Sequence, residues 1–137
     1  MGADKICTEL AEASMPGADA KRWRAVQSVA QGPNGSPVHA IDRVGEGPWY
    51  DRLGRRVAMN RDDLLNTRRA GADSEIVNDL PNEYGVSNHD PAGTGEVDNH
   101  HVLTGSDENG QLCGNSFTCS NWTTTDASVG RPRIGFS

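Results

Sequence analysis

Large apolar side chains are scarce in this sequence of 137 residues, of which 34% are hydrophobic and 5% aromatic. No stretch approaches the ~20 consecutive apolar residues that a membrane-spanning helix requires. The positively charged start and apolar run of a signal peptide are also missing. The sequence therefore predicts no membrane insertion, and we expect any export signal to lie outside this chain.

An excess of positive charge is absent as well, because 19 acidic residues outnumber 13 basic ones and the net charge is -6. This balance repels nucleic acid, heparin-like polyanions and anionic lipid surfaces. The arginines do cluster, at Arg52, Arg55 and Arg56 and again at Arg68 and Arg69, but arginines around turns are typical of a solvated surface. We therefore expect neither nucleic acid nor a heparin-like polyanion as a partner.

Cysteines are too few and too widely spaced for a zinc motif. The three cysteines are Cys7, Cys113 and Cys119, and no two of them form a Cys-x-x-Cys pair. Because the count is odd, at least one is free or has its partner elsewhere. Reduced core cysteines and an incomplete disulfide framework both remain open on this evidence.

Glycine and proline are plentiful, with 16 and 7 residues, and they predict that much of the chain forms turns and loops. The length fits one domain. Short strands are predicted at residues 23–29, 49–51, 56–58, 101–105, 118–123 and 133–136. We expect Gly54 to supply the positive φ of a hairpin, and Glu108-Asn109-Gly110 to form a second turn.

Two helices complete the predicted α+β fold. An amphipathic pattern over residues 3–14 predicts the first helix, with Cys7 buried and Pro16-Gly17 ending it. Its expected buried face consists of Ala3, Ile6, Cys7, Leu10 and Ala13. Asn60 is expected to cap the second helix by accepting the amide of Asp63, and Leu64 and Leu65 would be its buried residues.

Several short motifs occur in an order that points to a known family. They are Gly2-Ala3-Asp4, Trp23-Arg24-Ala25, Gly47-Pro48-Trp49-Tyr50-Asp51, Asn60-Arg61-Asp62-Asp63-Leu64-Leu65, Val102-Leu103-Thr104-Gly105-Ser106-Asp107, Asn109-Gly110, Cys119-Ser120-Asn121-Trp122-Thr123 and Ile134-Gly135-Phe136-Ser137. Their order resembles the endostatin-like branch of the C-type lectin-like superfamily, which includes domains of bacterial surface and secreted proteins.

This resemblance implies a C-type lectin-like (endostatin-like) fold of two helices, short twisted antiparallel strands and long loops. Residues 1–137 would form a single domain, incomplete at both ends, of a secreted or cell-surface protein. The resemblance implies a non-catalytic binding or adhesion module without a cofactor, and not an enzyme. Its ligand would be an extracellular glycan or protein, bound by the loops between residues 71 and 118.

The resemblance also implies a disulfide framework. Cys7 would pair with a final cysteine and Cys119 with the cysteine just before it, and both partners would lie beyond residue 137. Cys113 falls outside the family pattern, so a bridge to Cys119 and a free thiol both stay open. The calcium motifs of sugar-binding family members, a Glu-Pro-Asn loop and a Trp-Asn-Asp strand, are absent, since Asn121-Trp122-Thr123 has another order and no acid.

A metal-dependent hydrolase is one alternative, and a purely structural extracellular domain is another. The polar segment 71–99 reads as one long loop, and such loops frequently carry function. Its candidate metal ligands are Glu96, Asp98, His100 and His101, with His89 or Asp90 as a further ligand. The other acids of this region, Asp73, Glu75, Asp79 and Glu83, lack EF-hand spacing and are expected to be solvated.

Other catalytic arrangements have weaker support. Asp62 and Asp63 would point about 100° apart on a helix and cannot flank one substrate atom. Cys119 as a nucleophile, with His100 or His101 as its base, would need an electropositive setting that its sequence neighbours do not supply. Trp23 and Trp122 are expected in the core, and Trp49 is expected to be partly exposed.

Overall fold

The computed structural model describes residues 2–65, 80–87 and 101–136. Within them the chain is α+β, which confirms the predicted class. Its helices are α1 (Gly2–Ser14), α2 (Ala40–Arg43), α3 (Arg61–Leu65) and α4 (Cys119–Trp122), and its strands are β1 (Trp49–Tyr50), β2 (Arg56–Ala58), β3 (His101–Leu103) and β4 (Ile134–Phe136). The strands form two antiparallel sheets, β1-β2 and β3-β4.

The chain divides into two compact units. The first unit comprises residues 1–25, 46–100 and 137, and the second comprises residues 26–45 and 101–136. In the described residues, the first unit contains α1, α3 and the sheet β1-β2, together with a 3-10 turn at Ala18–Ala20. The second unit contains α2, α4 and the sheet β3-β4, together with a 3-10 turn at Asn115–Thr118.

The predicted first helix is confirmed as α1, but its expected buried face is wrong. Ile6 and Leu10 are 57% and 41% exposed, and the buried residue is Ala11. The side chain of Asp4 decides this rotation, because its carboxylate accepts the Ala25 amide at 2.9 Å. Ala11 lies two turns after Asp4 and therefore faces the same way. Cys7, expected to be buried, is half-buried.

The end of α1 is held by the carboxylate of Glu12. This group accepts the backbone amide of Gly17 at 2.9 Å and that of Asp19 at 3.0 Å. These bonds, that of Gly17 first, hold the pKa of Glu12 below its usual value. The 3-10 turn that follows accepts the indole N–H of Trp23 at the carbonyl of Ala18, at 2.7 Å.

The hairpin β1-β2 and the cap of α3 form as predicted. Gly54 has φ +79 in the turn, and Trp49 pairs with Ala58 across the strands. Asn60 Oδ1 accepts the Asp63 amide at 2.9 Å, while the Asp63 carboxylate accepts the Met59 amide at 3.2 Å. This reciprocal pair is a capping arrangement that satisfies two backbone donors at the helix start.

The expected burial of Leu64 and Leu65 is wrong, since Leu64 is half-buried and Leu65 is 37% exposed. Neighbouring residues on a helix point about 100° apart, so the two leucines cannot share one inward face. In this part of the first unit the buried apolar residues are instead Val57 and Ala58 of β2.

The predicted strand at residues 23–29 joins no sheet within the described residues. Its one bridge to another described segment is an isolated one between Val29 and Val38. The amide of Ala25 bonds to the Asp4 carboxylate and the amide of Ser28 to the carbonyl of Thr104. These backbone amides therefore donate to two acceptors in different parts of the chain, and not to successive carbonyls of one neighbouring strand.

The strands predicted near residues 101–105 and 133–136 are confirmed as β3 and β4, with Val102 opposite Gly135. The strand predicted at residues 118–123 is wrong. The chain forms a 3-10 turn there and then enters α4, whose residues Cys119–Trp122 all have positive φ, between 47 and 65. The expected alternation of side chains between two faces therefore does not occur.

The described core consists of small residues. Its buried apolar members are Ala11, Ala18, Ala25, Ala40, Val57 and Ala58. Three polar residues, Ser28, Ser106 and Thr118, are buried with them. Trp23 and Trp122, expected in the core, are half-buried, and so is Trp49. Because each indole N–H needs a partner, a partly exposed ring with one anchored edge is a common solution for tryptophan.

Candidate functional site

The most unusual backbone of the described residues is the segment Cys119–Trp122. Four consecutive residues other than glycine have φ values of 47, 54, 62 and 65. One such residue costs about 1–2 kcal/mol, because its Cβ approaches the following carbonyl oxygen. This left-handed turn persists only where other contacts compensate for the strain, and such segments often occur at functional sites.

Asn121 supplies much of that compensation through its side chain. Its Oδ1 accepts the backbone amides of Ala30 at 2.7 Å and Gln31 at 3.1 Å, and its Nδ2 donates to the Gln31 carbonyl at 2.7 Å. Its own amide donates to the hydroxyl of Thr118. The side-chain carboxamide of Asn121 therefore bonds to both the amide and the carbonyl of Gln31, as a neighbouring strand would. These bonds attach the left-handed turn to residues 30–31.

A chain of buried hydroxyls lies beneath the turn. The amide of Ala40 donates to Ser28 Oγ at 2.9 Å, and Ser28 Oγ lies 2.8 Å from Ser106 Oγ. Ser106 Oγ is also hydrogen-bonded to the carbonyl of Thr104. The two hydroxyls therefore link the amide of Ala40 to the carbonyl of Thr104, and either hydroxyl can donate in the bond between them.

An open depression of about 370 Å³ lies beside the left-handed turn, within the second unit. Among the described residues that line it, none carries an ionisable side chain. Thr118 and Asn121 line it but use their polar groups internally. The other polar side chains of its wall make no hydrogen bond to another described residue; they are Gln31, Asn115, Ser116 and Ser120.

One turn pattern recurs three times in the described residues. In each copy an Asp or Asn side chain accepts the amides two and four residues later, and a glycine with positive φ stands three residues later. The copies begin at Asp51, Asn82 and Asp107. The turns expected at Gly54 and at Asn109-Gly110 are two of them. The third was missed, although Asn-x-x-Gly at residues 82–85 carries the same signal.

The arginines around the first of these turns are attached to the protein. Arg52 donates to the carbonyls of Glu83 and Ser14, and Arg55 contacts the Asp51 carboxylate at 2.7 Å. The Asp51 side chain is only 2% exposed, so this ion pair is largely shielded from solvent. The expected solvated arginine cluster is thus in part a set of turn anchors.

Most of the sequence-predicted metal ligands lie outside the described residues. These are His89, Asp90, Glu96, Asp98 and His100, and the acids expected to be solvated at Asp73, Glu75 and Asp79 lie outside them too. His101 begins β3 and is exposed, while Glu83 belongs to the recurrent turn at Asn82. Across residues 2–65, 80–87 and 101–136, no three His, Cys, Asp or Glu side chains are grouped as a metal site would require.

None of the three cysteines forms a disulfide in the structure. Cys7 lies in α1 of the first unit, whereas Cys113 and Cys119 lie in the second. The thiol of Cys119 lies 3.9 Å from the carbonyl oxygen of Gly130, which is a weak contact. All three are half-buried.

In the part of the chain that is described, no helix is long and apolar enough to cross a membrane.

Comparison of the chain with protein-family models, with curated proteins and with solved structures found no match.

Proposed function

We propose that the chain is a non-catalytic, extracellular binding module with a C-type lectin-like fold of the endostatin-like kind. One observation carries this proposal: the motif residues that resemble that family use their polar side chains to hold the backbone. Asn121 fixes residues 30–31, Trp122 donates to the carbonyl of Ser28, and Asp107 closes its turn.

The same holds for the motif at the start of α3. Asn60 and Asp63 cap the helix reciprocally, so Asn60 Oδ1 and Asp63 Oδ2 both accept backbone amides. A nucleophile, a general base or a metal ligand needs a free lone pair facing a substrate. The recognisable sequence pattern therefore describes a scaffold, and the task of such a scaffold is to present loops to a ligand.

Further elements of the proposal follow from the resemblance. The ligand is an extracellular glycan or protein, and the net charge of -6 disfavours nucleic acid and heparin-like polyanions. Cys7 and Cys119 enter disulfides in the oxidising compartment where such modules work. Both are half-buried, which suits cysteines that link segments of a small core.

The test is a binding screen with the purified chain immobilised through a terminal tag. The chain is expected to capture members of a glycan array or an array of extracellular matrix proteins, with no turnover of the captured ligand. A parallel zinc titration examines the metal-dependent alternative. Stoichiometric zinc binding together with hydrolysis of a model ester would contradict the proposal, and so would a failure to bind on both arrays.

A further inference from the structure

The depression beside the left-handed turn presents an unusual set of groups. Gln31 and Asn115 each offer an amide, and Ser116 and Ser120 each offer a hydroxyl, all without a partner among the described residues. Every one of these groups can both donate and accept a hydrogen bond. The wall also includes two apolar residues, Ala30 and Val129, of which Val129 is 52% exposed.

The lining selects against charged ligands. Cationic side chains are the strongest partners of a phosphate, sulfate or carboxylate group, and most divalent metal sites include carboxylate, imidazole or thiolate ligands. The described residues of the lining supply none of these. The amide and hydroxyl side chains of the lining can both donate and accept hydrogen bonds. They are therefore suited to ligand hydroxyl and acetamide groups, which also donate and accept hydrogen bonds. A compact, neutral ligand that carries several hydroxyls next to C–H faces is a saccharide.

The backbone that carries two of these side chains, Ser120 and Gln31, is held in place by hydrogen bonds. Ser120 belongs to the left-handed turn, and that turn is fixed by the side chains of Asn121 and Trp122. The amide and carbonyl of Gln31 are both bonded to Asn121, so the Gln31 side chain projects from a fixed backbone. Groups that are held in place lose little conformational entropy when a ligand binds.

The geometry points to a calcium-independent site for a neutral saccharide in this depression, with Gln31, Asn115 and Ser120 as hydrogen-bonding residues. This inference rests on the proposed binding function and names its ligand class and its location. Few hydrogen bonds and an open site predict weak binding, with a dissociation constant on the order of millimolar.

The test is a titration of the 15N-labelled chain, in EDTA, with the methyl glycosides of glucose, galactose, mannose and N-acetylglucosamine. At least one is expected to shift amide resonances at residues 30–31 and 115–121 and to leave the first unit unaffected. The double variant Gln31→Ala/Asn115→Ala is expected to weaken that binding roughly tenfold or more, because two hydrogen bonds are lost.

The matched control is Gln111→Ala/Asn109→Ala, which removes the same two residue types from an exposed turn of the second unit. It is expected to leave the affinity unchanged. Ser120→Ala provides a second test should the double variant fail to fold, since its exposed hydroxyl makes no hydrogen bond within the described protein.

Three results would overturn the inference. The first is binding that disappears in EDTA, and the second is a response to a heparin disaccharide but to none of the neutral glycosides. The third is binding to array ligands that the double variant leaves unchanged, in which case the proposed binding function survives and only this site is wrong. A chain that binds nothing in any arm contradicts both.

Discussion

The indole N–H of Trp122 donates to the carbonyl oxygen of Ser28 at 2.8 Å, across 94 residues of sequence. Ser28 is fully buried, and Ala30 and Gln31, two and three residues later, bond to the side chain of Asn121. Two neighbouring side chains of a strained turn thus hold a segment that joins no sheet in the described part of the chain. This pairing explains how the second unit is held together with so little apolar core.

Replacing Trp122 by phenylalanine should destabilise the chain, because the Ser28 carbonyl loses its donor while the ring is largely kept. The expected loss is about 1–3 kcal/mol in the free energy of unfolding. Urea denaturation followed by circular dichroism measures it. The control is Tyr84→Phe, which removes a hydroxyl from a side chain that is 61% exposed and should change little. Equal effects of the two variants would show that the indole bond is unimportant.

The buried hydroxyl chain predicts that Ser28 matters more than Ser106. Ser28→Ala leaves the amide of Ala40 without an acceptor at a residue only 1% exposed, at a cost of about 1–3 kcal/mol. Ser106→Ala should cost less, since no backbone donor depends on its hydroxyl. A double-mutant cycle should give a coupling of about 0.5–1.5 kcal/mol. Additive effects would contradict the shared chain.

Alanine substitution at Gly54 and at Gly110, in two of the recurrent turns, distinguishes the cost of backbone strain from the cost of steric overlap. Gly54 and Gly110 have similar φ values, +79 and +70, but a Cβ at Gly54 meets nothing within 4 Å, whereas one at Gly110 lies 2.9 Å from Ile41 Cβ. Gly54→Ala should therefore cost only the strain, about 1–2 kcal/mol. Gly110→Ala should cost clearly more, as measured by urea unfolding. A smaller loss for Gly110→Ala would mean that the Ile41 contact yields freely.

Local signals in the sequence predicted much of the fold. The helix over residues 3–14, the Asn60 cap and the turns at Gly54 and Gly110 follow from propensity and from side-chain chemistry within a few residues. The rotation of α1 could not be predicted in this way, because a contact between Asp4 and Ala25 decides it.

The left-handed turn at the candidate site also depends on long-range contacts that local sequence could not predict. Residues 118–123 carry β-branched and aromatic side chains typical of a strand, and Asn121, a residue depleted in strands and tolerant of positive φ, is the one local signal against it. Long-range bonds from Asn121 to residues 30–31 and from Trp122 to Ser28 override it. The turn contributes Ser120 and Asn121 to the lining of the depression, so the depression could not be identified before the turn was known.

The strain in the turn predicts a stabilising substitution. Ser120 has φ 54 and an exposed side chain, so Ser120→Gly should relieve about 1–2 kcal/mol of strain. Glycine costs about 0.5–1 kcal/mol in the entropy of the unfolded chain. The net gain should be about 0–1.5 kcal/mol. Ser36→Gly, at a residue without positive φ, should destabilise the chain in the same urea assay. A loss of stability in Ser120→Gly would show that the turn is not strained.

Acidification should weaken the end of α1. The pKa of Glu12 is lowered, so its carboxylate stabilises the fold fully above the ordinary glutamate pKa of 4.5, and this contribution is lost as pH falls through the lower pKa of the folded state. Glu12→Gln should reduce the urea midpoint at neutral pH and flatten its decline in acid. Glu9→Gln is the control, because among the described residues the Glu9 carboxylate has one ion-pair partner, Lys5 at 3.4 Å. Identical pH profiles for Glu12→Gln and the unaltered chain would contradict this role.

The account assigns Trp122 to holding the fold, and Gln31 and Asn115 to binding the ligand. Measuring two quantities on two variants tests this assignment most directly. These are the free energy of unfolding and the dissociation constant for a neutral methyl glycoside. Trp122→Phe should lower the stability, while Gln31→Ala/Asn115→Ala should keep the stability and weaken binding roughly tenfold. Binding that is unchanged in the double variant, or a double variant that loses stability as Trp122→Phe does, would contradict that assignment.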